Sequence, residues 1–120
     1  DALHSTAIGK AIASTWSDAE RSAIVPGMLQ PKTPHTITNL DALARELDAV
    51  RGRGYSVDDE ENETGARCIG APVFDHSGVC VGAISISGPT IRMTSDRVPL
   101  IAPVVMDAAS AISERLGYRR

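Results

Sequence analysis

The chain has 120 residues, 42% hydrophobic and 22% charged, with 12 Lys and Arg against 15 Asp and Glu for a net charge of -3. That is enough for one domain with a core of its own. The acidic balance disfavours a duplex-DNA surface, which needs basic residues against phosphate. The aromatic residues Trp16, Tyr55, Phe74 and Tyr118 are too few for a base- or sugar-stacking platform. No apolar run approaches the roughly 18 residues of a membrane-spanning helix.

Ala7, Ile8, Ala11 and Ile12 recur at helical spacing and predict a first helix over residues 5–15, with Ser5 as its N-cap. Ser17-Asp18-Ala19-Glu20 is a capping-box pattern. It predicts a second helix running to about Val25 and ended by Pro26-Gly27. Residues 30–39 read as a loop with one short extended segment around Thr36-Ile37-Thr38. Asn39 then caps a strong amphipathic helix carrying Leu40, Leu43, Leu47 and Val50, closed by Arg51, Arg53 and Gly52 or Gly54.

Tyr55–Asp58 predicts a short strand, and Asp59–Gly65 a solvated acidic connection. Residues 66–74 and 79–87 are two apolar strand candidates joined by the turn Asp75-His76-Ser77-Gly78, an antiparallel hairpin. The final helix is read with its core stripe on Ile101, Val104, Val105, Ala108, Ile112 and Leu116, with Pro99 or Pro103 near its start and Gly117 at its end. The order is three helices, three strands and a helix, an α+β domain over residues 1–120 with an antiparallel sheet flanked by helices.

Chemistry-bearing motifs are sparse. Cys68 and Cys80 have no metal-ligand spacing, and neither a metal nor a cofactor is expected. There is no Gly-x-Ser-x-Gly elbow and no calcium-loop spacing among Asp58, Asp59, Glu60, Glu61 and Glu63. The chain starts at Asp1 with no signal-peptide pattern and reads as a processed protein or an expressed fragment from a reducing, cytoplasmic setting.

The hairpin carries the sharpest inference. Pairing Phe74 with Val79 sets Val73 opposite Cys80 and Cys68 opposite Ser85. One face then holds Ile69, Ala71, Val73, Ile84 and Ile86, fit to pack on helices. The other holds Cys68, Gly70, Pro72, Ala83, Ser85 and Ser87. Small side chains leave a hollow there, and its hydroxyls suit a small polar ligand. The alternative, a merely small-residue sheet face, stays open at this point. The same pairing sets the two cysteines roughly 16 Å apart on opposite faces, too far for a disulfide.

Several blocks together resemble one family. They are Leu3-His4-Ser5-Thr6-Ala7-Ile8-Gly9-Lys10-Ala11, Gly54-Tyr55-Ser56-Val57-Asp58-Asp59-Glu60-Glu61, Gly65-x-x-Cys68, Ala71-Pro72-Val73-Phe74-Asp75 and Ala83-Ile84-Ser85-Ile86-Ser87-Gly88-Pro89. In order and spacing they resemble the effector-binding domain of IclR-type transcriptional regulators. The resemblance implies a GAF-like sheet, here lacking the first strands that the family draws from upstream of the Leu3-His4 block. It implies a small metabolite, often a carboxylate, held by Asp58, Cys68, Ser85 and Ser87 with backbone at Ala7 and Ile8. It also implies self-association as a dimer or tetramer, and DNA contact only through a helix-turn-helix domain that this sequence does not contain. The alternatives are a GAF-like thiol enzyme using Cys68 and a ligand-free dimerisation module.

Overall fold

The computed structural model describes residues 2–119, so the expected bounds 1–120 run one residue past it at each end. The fold is α+β. A three-stranded antiparallel sheet in the order β1-β2-β3 comprises Ser56–Asp59, Ala66–Phe74 and Cys80–Pro89. Helix α1 (Ala7–Ser14) and α3 (Leu40–Arg53) lie on one side of it, and α4 (Val98–Arg115) on the other. Among the described residues, no helix is long and apolar enough to cross a membrane.

Local signals explain most element ends. Asn39 accepts the Ala42 N–H, and Gly54 closes α3 in the left-handed conformation at φ 90. Leu43, Leu47 and Val50 are buried, while Leu40 at the helix start is exposed. Ser17 and Glu20 form the expected capping box, but α2 ends after Asp18–Arg21 and Pro26–Met28 make a 3-10 turn instead. The N-cap of α1 is Thr6, whose hydroxyl accepts the Gly9 N–H, and not Ser5. Ser5 is buried and donates to Asn62 Oδ1. Residues 30–39 hold no strand; Thr33 and Thr36 donate their hydroxyls to the carbonyls of Glu60 and Glu61.

The hairpin register differs from the expected one by two residues. Cys68 lies opposite Ser87, Gly70 opposite Ser85 and Val73 opposite Gly82. Asp75 is the cause. Its carboxylate accepts the N–H groups of Ser77 and Val79, and its own N–H donates to the Val79 carbonyl, so Val79 belongs to the turn. A bulge then sets Phe74 opposite Cys80 and leaves Val81 extra. A shift of two keeps every side chain from Ala66 to Val73 on its expected face. Cys80 no longer faces Val73. Both cysteines are free, six positions apart along β2.

Two cores result. Ile69, Ala71 and Val73 pack on Val98, Ala102, Val105 and Ala109 of α4. Ala13 of α1 meets Leu43 and Leu47 of α3 with Ile24 and Leu29. The α4 stripe is not the expected one, because Val104, Ile112 and Leu116 are exposed and only Val105 of that set is buried. The helix is apolar nearly all round, so periodicity does not choose a face. The small residues Ala102, Ala109 and Ser113 let it lie close to the sheet, where Ser113 Oγ accepts the Phe74 N–H at 3.0 Å. Pro99 sits in the first turn and Pro103 lies inside the helix on its exposed side. Ile86, assigned to the packed aliphatic face, is 38% exposed because β3 is the sheet's edge strand.

Candidate functional site

The sheet register aligns the candidate residues in two cross-strand rows. Asp58 pairs with Cys68, which pairs with Ser87; Ser56 pairs with Gly70, which pairs with Ser85. Directly paired residues share a face and stand about 5 Å apart. The four side chains named from the sequence, Asp58, Cys68, Ser85 and Ser87, therefore occupy one patch on the face that carries α1.

The first turn of α1 crosses this patch. Ser56 Oγ donates to the Ala7 carbonyl, and a Cβ on Gly70 would come within 2.8 Å of that same oxygen. Only glycine lets the helix start settle so low over the strand. The N–H groups of Ala7 and Ile8 are the first two of the helix and have no intrahelical acceptor. With the helix dipole they favour an anion. Ala7 is buried and Ile8 half-buried beside them. The patch is open toward the edge strand, where Ser85 and Ser87 are exposed. Two cavities of about 460 and 440 Å³ lie elsewhere, one beside Phe74 and Tyr118 and one between α2 and α3.

The row is electrostatically tuned. Asp58 is 4% exposed, and burial pushes its carboxyl above the usual carboxylate range. Its Oδ1 accepts the N–H groups of Glu61 (2.9 Å) and Asn62 (3.2 Å), which together with the Lys10 charge oppose that rise. Burial also pushes the Cys68 thiol up. A hydrogen bond from Ser87 acts against this, and the Asp58 charge and a hydrogen bond to Asp58 add to it. Cys68 thus stays protonated at neutral pH, a hydrogen-bonding thiol and not an activated thiolate.

The acidic connection is exposed at Asp59 and from Glu63 to Gly65, as its composition predicts, but Glu61 departs from that expectation. Glu61 is 7% exposed and pairs at 2.8 Å with Lys10, whose side chain is fully buried. Lys10 also pairs with Glu46 at 2.9 Å. Asp59 pairs with Arg67 at 2.6 Å. Sequence reading missed Lys10, Glu46, Glu61 and Asn62. The only signal was a lysine amid the small and apolar residues of α1, where an amphipathic helix turns its buried face.

A family model described as the bacterial transcriptional regulator IclR C-terminal domain matches residues 1–114. The chain belongs to the IclR family. It is 43% identical over 118 residues to the HTH-type transcriptional regulator KdgR of Dickeya chrysanthemi, covering 97% of this chain and 38% of that protein. The chain spans less than half the length of the regulators it matches. The solved C-terminal domain of Escherichia coli KdgR superposes with a TM-score of 0.88 at 42% identity, over 97% of this chain and 71% of that one. The inducer-binding domain of an Acinetobacter PobR double mutant, solved in complex with 3-hydroxybenzoic acid, superposes with a TM-score of 0.82 at 26% identity over 92% of this chain and 66% of that one.

Proposed function

We propose that this IclR-family domain senses a small carboxylate, seated across the Asp58–Cys68–Ser87 row beneath the start of α1. One observation carries the reading: the register lines Asp58, Cys68 and Ser87 up in one row beside Ser85, on the sheet face where the start of α1 comes down on Ser56 and Gly70. The carboxylate takes the helix N–H groups and the hydroxyls of Ser85 and Ser87. A hydroxyl or carbonyl elsewhere on the ligand meets Asp58 and the Cys68 thiol. The hydroxy acid bound by PobR has this chemistry.

In the whole regulator, the ligand shifts the balance between subunit arrangements in proportion to its preference for one of them. DNA affinity changes through a separate helix-turn-helix domain, and the protein self-associates in the bacterial cytoplasm. The protonated Cys68 thiol favours this binding role over thiol catalysis. The experiment is a calorimetric titration of the full-length protein with a panel of small carboxylates and their amides. At least one acid binds and its amide does not; binding by no acid in the panel, or equal binding of acids and amides, defeats the reading.

A further inference from the structure

The Asp58 carboxylate is aimed by the backbone of the turn that follows it. The N–H groups on its Oδ1 come from Glu61 and Asn62, so its aim follows the turn after β1, where Glu60 takes the left-handed φ of 56. A non-glycine residue in that region persists only where the surroundings over-determine it. Thr33, Thr36 and Ser5 each fasten the turn through one hydroxyl.

Lys10 fastens it differently. Its ammonium is sealed from solvent and has three acceptors for its three donors: Glu61 Oε1, Glu46 Oε2 and the Val57 carbonyl. Glu61 uses its other oxygen to accept the Asp59 N–H at 3.0 Å. Lys10 therefore grips Val57 directly and Asp59 through Glu61, the residues immediately before and after Asp58. It also stands on α1, one turn beyond Ala7. The same side chain thus sets the span between the anion-binding helix start and the Asp58 carboxylate.

We propose that Lys10 is a positioning residue of the ligand site, which fixes the backbone on both sides of Asp58 and so sets how far from the ligand carboxylate a hydroxyl is recognised. This rests on the carboxylate reading above. Lys10 itself does not touch the ligand. The charged groups around it are Glu46 and Arg53 from α3, 3.9 Å apart, with Glu61, Asp58 and the Arg67-paired Asp59 from β1 and its turn.

The test uses the full-length protein, Lys10→Met, and the double variant Lys10→Met/Glu61→Gln, which leaves no buried unpaired Glu61 charge to unfold the domain. Amide exchange followed by NMR reads the turn without any ligand. In both variants the backbone amides at positions 61 and 62 exchange about tenfold or more faster, while those of Leu47 and Ile69 keep their wild-type rates. The Asp58 carboxyl titrates higher, having lost the charge and the N–H bonds that oppose its burial. Lactate and propionate, which differ by one hydroxyl, then read the site by calorimetry. The variants lose about tenfold for lactate and stay within about twofold for propionate.

Unchanged exchange of the amides at positions 61 and 62 in the double variant overturns the proposal, whatever binds. Equal losses for lactate and propionate overturn it too, since that is a merely structural effect. A wild-type protein that binds no acid of the panel, lactate and propionate included, with the turn opened in the variants, defeats the carboxylate reading and supports the hold of Lys10 on Asp58.

Discussion

Replacing Gly70 with alanine tests the contact on which the site is built. The added Cβ would stand 2.8 Å from the Ala7 carbonyl oxygen, 2.9 Å from its carbon and 2.9 Å from Ser56 Oγ. Two of those atoms are backbone, so relief requires the start of α1 to lift. Overpacking of this kind costs about 1–3 kcal/mol, and loss of the Ser56–Ala7 hydrogen bond about 1 more. Gly70→Ala should therefore lose roughly 2–4 kcal/mol in a urea melt, or roughly 8–15 °C of melting temperature for a domain of this size. Carboxylate affinity should fall with it, because the Ala7 and Ile8 N–H groups leave the serine rows. Gly82→Ala is the matched control, since a Cβ there meets nothing within 4 Å. It should stay within about 1 kcal/mol of wild type, on the stabilising side. If Gly70→Ala melts like Gly82→Ala, α1 does not sit on β2 as described and the site loses its anion-binding wall.

Ser87→Ala should weaken carboxylate binding by about one to two powers of ten, the worth of a hydrogen bond to a charged group, and leave the melt unchanged because Ser87 is exposed. Ile69→Ala should lose about 2–5 kcal/mol of stability through a cavity, since Ile69 is fully buried, whereas its cross-strand partner Ile86, 38% exposed, should lose clearly less on the same truncation. Burial already raises Asp58, and a bound anion raises it further, so binding takes up protons. Titrations should show affinity tightening as pH falls from neutrality toward the ordinary carboxylate range, and Asp58→Asn should flatten that slope; affinity that rises with pH would contradict the placement of the anion.

Where local chemistry decides an element, the sequence was readable. Asn39, the leucine spacing and Gly54 define α3 because each acts on its own few residues. The faces of the hairpin were readable although its register was not. The Asp75 turn takes in Val79 and the bulge adds Val81, and two extra residues restore the parity of the strand. The candidate residues therefore share a face as expected, with Cys68 beside Ser87 and not Ser85. The α4 face was not readable, because apolar residues surround that helix and tertiary fit selects the small ones. The Lys10 network was not readable either. Its members at positions 10, 46 and 61 meet only through folding, and Asp59–Gly65 taken by itself has the composition of a solvated loop. The family blocks pointed to the candidate residues that share this sheet face but not to the ion pairs behind them.

A crystal structure of the full-length protein with bound lactate would place the ligand directly. The account predicts its carboxylate within hydrogen-bond distance of the Ala7 and Ile8 N–H groups and the hydroxyls of Ser85 and Ser87, and its own hydroxyl against Asp58. Lactate seated instead in the cavity beside Phe74 and Tyr118, with the Asp58–Cys68–Ser87 row left to solvent, would contradict it.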